Sequence, residues 1–174
     1  MHRTARPAAF RIAVAAAALA LVPALAACGS GVTAGTSLQG PSGNGANVNV
    51  GPIQLRAITV VQAKSGTAAT IIGTIVNTGD ADTLLGATIT SPTGATVTLA
   101  GTAVQGGQLP LPAQSSTRVG FNSEEHLDVT GLTIAPTFFA TVEFSFKNAG
   151  RVSTPVMVVP PTGIYEGLSP LTTS

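Results

Sequence analysis

The densest run of ionisable side chains in the sequence is Glu124-Glu125-His126, with Asp128 two residues further on. Carboxylate oxygens and an imidazole are donors for zinc, copper(II) or calcium. On a strand, successive side chains point to opposite faces, so Glu124 and His126 can converge while Glu125 faces away. A structural zinc site takes four protein ligands and a catalytic one takes three plus water. Glu124, His126 and Asp128 therefore make a minimal metal set, and a solvated loop between strands accounts for the same residues. Asp80 and Asp82 form a second acidic pair. Asn77-Thr78-Gly79-Asp80 in front of it reads as a turn, with Asn and Asp bonding local backbone and Gly free to take positive φ. No calcium-loop pattern follows it.

Nucleophilic catalysis has little to work with. Beyond His2 the only histidine is His126, so a serine nucleophile has one possible base, and no G-x-S-x-G elbow is present. Zinc-protease motifs and phosphate-binding loops are absent. There is no Trp and one Tyr, Tyr165, so no aromatic platform holds a sugar. The reading is of a protein that is not an enzyme.

The remaining reactive side chain is Cys28, the only cysteine, which excludes an intramolecular disulfide. It follows Arg3, Arg6 and Arg11, an apolar segment Ile12–Ala27, and small residues at Ala26 and Ala27. That is the layout of an export signal. The segment is shorter than the roughly 18–20 residues that span a bilayer, and Pro23 interrupts it. Leu25-Ala26-Ala27-Cys28 resembles the lipobox of bacterial lipoproteins. The resemblance implies cleavage between Ala27 and Cys28 and a diacylglycerol on the Cys28 sulfur. More than one acyl chain is what stable anchoring needs. The expected partner is thus the membrane, through Cys28, at the extracytoplasmic face of the bacterial cell membrane.

Three of the eight Lys and Arg residues precede Cys28, so beyond it seven acids face five bases. With no basic patch and no interleaved aromatics, nucleic-acid binding is not expected. Ala-, Gly- and Thr-rich usage with few lysines points to a high-GC actinobacterial source. Residues 28–51 are Gly-, Ser- and Asn-rich and carry no charge. They read as a flexible tether with a reach of about 25 Å.

From Pro52 the chain turns to short Val-, Ile- and Thr-rich runs separated by Gly, Pro, Asn and Asp, which is strand chemistry with turn punctuation. Strands are expected at Ile53–Gln62, Ala68–Asn77, Thr83–Thr90, Ala95–Ala100, Thr117–Asn122, Phe138–Lys147 and Arg151–Val159. In Phe138–Lys147, Phe138, Ala140, Val142, Phe144 and Phe146 alternate with Thr141, Glu143, Ser145 and Lys147, as in a half-buried antiparallel strand. Asn148-Ala149-Gly150 reverses the chain into the last strand. Ile71, Ile72, Ile75 and Val76 load both faces, as in a central strand. The fold class is all-β, a Greek-key β-sandwich over residues 52–160, behind a signal peptide (1–27) and tether (28–51), with an irregular tail over 161–174.

Several segments in order carry a family resemblance. Ile75-Val76-Asn77-Thr78-Gly79-Asp80-Ala81-Asp82, then Leu84-Leu85-Gly86-Ala87 and Ser91-Pro92, is similar to the first half of PCuAC-type periplasmic copper chaperones. Leu111-Pro112-Ala113 resembles their proline-containing turn. His126-Leu127-Asp128-Val129-Thr130-Gly131-Leu132 sits where they carry His-Leu-Met-Leu-Met-Gly-Leu. Val142–Val152 looks like their closing hairpin. With the lipobox in front, the chain looks most like the actinobacterial LpqE-like lipoproteins.

The resemblance implies a cupredoxin-like sandwich and, in the chaperones, Cu(I) held by two histidines and two methionines, soft thioethers selecting the cuprous ion. At the corresponding positions this chain has Ala100 for the first histidine, Gln108, Leu109 and Pro110 around the first methionine, and His126-Leu127-Asp128 for the His-x-Met pair. Met157 lies in the last strand, away from those positions. The expectation is a membrane-anchored envelope module, binding or structural, with no cofactor and a possible envelope protein partner. The second reading is a copper-handling protein with a weak or shared site at His126, Asp128 and Glu124. A third is a small apolar or lipid ligand between the sheets.

Overall fold

The structure, a computed structural model, describes residues 45–63 and 67–168. Ala27, Cys28, the leader and most of the tether lie outside the described residues. Ten strands run in order: β1 (Ala46–Val50), β2 (Ile53–Gln62), β3 (Ala69–Asn77), β4 (Asp82–Ser91), β5 (Thr96–Ala100), β6 (Leu109–Leu111), β7 (Ser115–Val119), β8 (His126–Thr130), β9 (Phe139–Phe146) and β10 (Gly150–Val159). A single turn of 3₁₀-helix follows at Gly163–Tyr165. Among the described residues no helix is long and apolar enough to cross a membrane.

The strand order is β5-β8-β3-β2-β10-β9-β4-β6, with β1 added on β2 and β7 on β3. β10 joins the two layers: Gly150–Met157 pair antiparallel with β9, and Val158 and Val159 pair parallel with β2. β3 is central, as its two-faced apolar pattern requires. It pairs with β2 on one side and with β7 and β8 in succession on the other. The layers meet over Phe144, Ile53, Leu55, Ile58, Ile71, Ile75, Leu84 and Leu127, each essentially inaccessible to solvent. Burial of such side chains at about 1.5–3 kcal/mol each is what drives the sheets together. The space between the sheets is thus filled by the protein's own side chains.

The alternation read in β9 is present: Ala140, Val142, Phe144 and Phe146 are buried. Phe138 departs from it and is 61% exposed. It precedes the strand, in a turn where its N–H donates to the Ala135 carbonyl at 3.4 Å, so the strand's inward direction does not govern it.

Besides one-residue shifts at strand ends and two strands not expected from the sequence, β6 and β8, two larger differences stand out. The end of the expected tether is strand β1, which pairs with β2 through Ala46, Val48, Asn49 and Val50. Its buried Ala46 and half-buried Val48 and Val50 pack on the core, which offsets the ordering entropy that a Gly-rich tether could not. The expected strand Thr117–Asn122 lies instead at Ser115–Val119 and ends at Gly120, whose φ of 77° turns the chain.

Local polar groups fix the strand ends. Asn77 accepts from the Gly79 N–H at 2.9 Å and donates to the Asp80, Leu111 and Pro112 carbonyls. The expected Asn-Gly-Asp turn is therefore real, and it also ties β3 to the β6–β7 connection. Asp82 is buried and accepts from the N–H groups of Thr83, Asn148 and Ala149 at 2.7–2.9 Å. Burial opposes its ionisation, but the backbone donors of Asn148, Thr83, Ala149 and Lys147 together outweigh that and hold its carboxyl below the usual value. Asp82 is thus the brace of the β9–β10 reversal, where Gly150 takes a φ of 91°.

Candidate functional site

The ionisable run is where β8 begins, and β8 is paired on both sides. Toward β5, Ala100 stands opposite His126 and Thr98 opposite Asp128. Toward β3, Thr70 stands opposite Asp128. Leu127 and Val129 are buried in the core. The pleat therefore puts His126 and Asp128 side by side on the outer face of the sheet, both half-buried. Asp128 Oδ1 is buried and has no hydrogen-bond partner. Burial raises the Asp128 carboxyl above its usual value, and the neighbouring His126 imidazole opposes that.

The two glutamates divide differently from the sequence expectation. Glu125 is 8% exposed, while Glu124 is the exposed one. Glu125 Oε1 accepts from the Ala103 N–H at 3.0 Å, and the Thr102 hydroxyl lies 3.4 Å from it. The same hydroxyl lies 2.7 Å from Glu124 Oε2. Both carboxylates are thereby turned to the Gly101–Ala103 turn, which follows β5. Gly101 sits at a φ of 142°, and a Cβ there would collide with the Glu125 carboxylate and the Glu124 backbone. The convergence of Glu124 with His126 is not the arrangement found. Among the described residues no group of three or more His, Cys, Asp and Glu side chains could hold a metal ion. What stands together is the pair His126 and Asp128, a single imidazole beside one carboxylate.

The other positions drawn from the chaperone resemblance are dispersed. Leu109 is buried in β6 opposite Leu84, and Pro110 is opposite Thr83 on the far sheet. Gln108 closes a four-residue reversal with Gln105 through two backbone hydrogen bonds of 2.8 and 3.0 Å. Met157 faces Phe139 across β10 and β9, and the strands β3 and β2 lie between β8 and β10. Asp80 is exposed in its turn. Ala27 and Cys28 lie outside the described residues. The sequence reading did not single out Glu125 as a buried brace or Asp82 as an anchor for the closing hairpin.

Comparison with known proteins defines the class by fold. No family model and no curated protein matches the chain. Among solved structures, it is similar to the copper-bound PCuAC domain from PmoF2, with a TM-score of 0.58, 20% identity, and coverage of 67% of this chain and 99% of that one. The apo PCuAC domain from PmoF1 matches with a TM-score of 0.57 and 14% identity, covering 67% of this chain and 100% of that one. The apo PmoF2 PCuAC domain matches at 0.56 and 19%, covering 68% and 98%. The described body is a PCuAC-type, cupredoxin-like β-sandwich.

Proposed function

We propose that this protein is a non-catalytic module of the bacterial cell envelope, anchored by an acylated Cys28, in which a copper-chaperone sandwich carries no cuprous donor set. The observation that carries this reading is the register pair Ala100 and His126. Where the chaperones implied by the sequence resemblance place their first histidine, β5 offers the methyl group of Ala100. Asp128 replaces the thioether next to His126, and a hard carboxylate is a poor partner for Cu(I). The one described methionine, Met157, lies beyond two intervening strands. The module then serves by binding or scaffolding an envelope partner, as a member of the LpqE-like lipoproteins would. Titrating the full chain with Cu(I) under reducing conditions tests it. The expected result is no sub-micromolar one-to-one binding, and such binding would overturn the reading. Mass spectrometry of protein taken from membranes tests the acyl group on Cys28.

A second reading is favoured by one observation, the unpartnered Asp128 Oδ1 beside His126. In that reading His126 and Asp128 hold copper weakly or share an ion with a partner. Glu124 is left out because its carboxylate is on Thr102. Substituting His126→Ala then abolishes metal uptake; unchanged uptake removes this reading.

A further inference from the structure

A concavity with a volume of about 280 Å³ lies away from His126, on the outer face of the β2–β3–β7 sheet. That is just below the roughly 300–1,000 Å³ typical of small-molecule sites. Its floor is Ile72 of β3 with Ala57 and Thr59 of β2. Phe121, from the turn after β7, lines it, and so do Ile164 and Tyr165 of the 3₁₀ turn. Phe121 is 40% and Ile164 77% exposed, a large apolar exposure for residues that converge on one hollow.

The backbone is shaped around this hollow at some cost. β2 carries a bulge between Arg56 and Thr59, and within it Ala57 takes a φ of 53°, a conformation uncommon for a residue with a Cβ. Asn47 of β1 holds it there by accepting from the Ala57 N–H at 2.9 Å. Bulges and strained residues of this kind cluster at functional sites.

Charge gives the hollow a direction. Arg118 lines it and stands opposite Thr74, whose other neighbour in register is Arg56. Arg56 is held by neutral acceptors, Asn49 Oδ1 and Gln54 Oε1, each at 2.7 Å. Among the described residues the one ion pair is Arg151 with Glu143, so Arg118 has no carboxylate partner, Glu166 included. A largely apolar lining with a guanidinium that has no carboxylate partner among the described residues is complementary to an apolar chain that ends in an anion.

We propose that this outward-facing pocket binds a small amphiphile, a medium-length apolar chain ending in a carboxylate, with the carboxylate on Arg118 and the chain against Ile72, Phe121 and Ile164. The site is independent of whether His126 handles metal.

Tyr165 is the only tyrosine and there is no tryptophan, so its emission reports on this pocket alone. The test titrates decanoate, below its micellar concentration, into the full chain carrying Cys28→Ser. A saturable one-to-one change in Tyr165 emission is expected. Arg118→Gln weakens it at least tenfold, and Ile164→Glu, which sets a negative charge at the mouth, weakens it as well. Decanol binds less tightly than decanoate and is insensitive to Arg118→Gln. The proposal is overturned by the absence of saturation, by equal affinity in Arg118→Gln, or by equal binding of decanol or decyltrimethylammonium. A change produced by phosphatidylglycerol vesicles but not by decanoate also overturns it, because the surface is then a bilayer contact rather than a ligand pocket.

Discussion

Asp82 and Asn148 are 66 residues apart in sequence and 2.8 Å apart in the fold, carboxylate to backbone N–H. A second oxygen of the same carboxylate accepts from the Ala149 N–H at 2.9 Å. The start of β4 therefore sets the geometry of the β9–β10 reversal. Replacing Asp82→Ala leaves these buried donors without acceptors and is expected to cost about 2–3 kcal/mol. The carboxyl is held below its unfolded value, so its contribution is complete above about pH 4 and is lost as pH falls through the lower folded value. Chemical denaturation of both proteins from pH 7 to pH 3 checks this, because their stabilities should draw together on acidification.

Asp128 works in the opposite sense. Its folded carboxyl is raised by burial, so the folded state holds its proton more tightly than the unfolded chain. The ionised form therefore weakens the fold at neutral pH, and that penalty fades as pH falls through the raised value toward the unfolded one. Asp128→Asn is expected to raise stability at pH 7 by about 0.5–1 kcal/mol, discounted for its partial exposure. The gain should shrink on acidification. Thermal melts of the two proteins at pH 7 and pH 4 measure it. A loss of stability at pH 7 would mean that the buried oxygen has a partner in solution.

The turn after β5 rests on a glycine. Gly101 is at a φ of 142°, with the Glu125 carboxylate where a side chain would start. Gly101→Ala must displace a buried acid that anchors the Ala103 N–H, in a backbone region hostile to a Cβ. The expected cost is about 2–3 kcal/mol. Glu125→Ala in the same background should recover part of it, since the collision is relieved. A double-mutant denaturation cycle reads the coupling.

How far the fold was legible follows from segment length and context. β2 was read with the bounds it has, Ile53–Gln62, and β9 and β10 to within a residue, because long runs of Val, Ile and Phe carry the two-residue period unmistakably. β8 is not among the strands expected from the sequence, where its residues read as a metal set on a strand or as a solvated loop. Yet His126, Leu127, Asp128, Val129 and Thr130 do alternate, and Leu127 and Val129 are the buried pair. Its acidic approach disguised it. β6 spans Leu109–Leu111, too short for any period. The outer-face pocket was not legible at all, since it joins Phe121, Arg118 and Tyr165 through the register of three strands and a turn.

β1 is the instructive omission and supplies the last prediction. Ala46, Val48 and Val50 alternate with Asn47 and Asn49, a strand period hidden by the glycines around it. Those asparagines are not passive: Asn47 accepts from Ala57 N–H and Asn49 from Arg56 at 2.7 Å. Gly45 can lie against Ala57 only because it lacks a Cβ. If residues 46–50 were tether, Asn47→Ala would leave stability unchanged. With β1 in place, it frees the Ala57 N–H and is expected to cost about 1 kcal/mol. The bulge then relaxes, so decanoate binding should weaken in the same variant, while Asn148→Ala, at the far hairpin, should not affect it. Urea denaturation and the Tyr165 titration together separate an ordered strand from a linker.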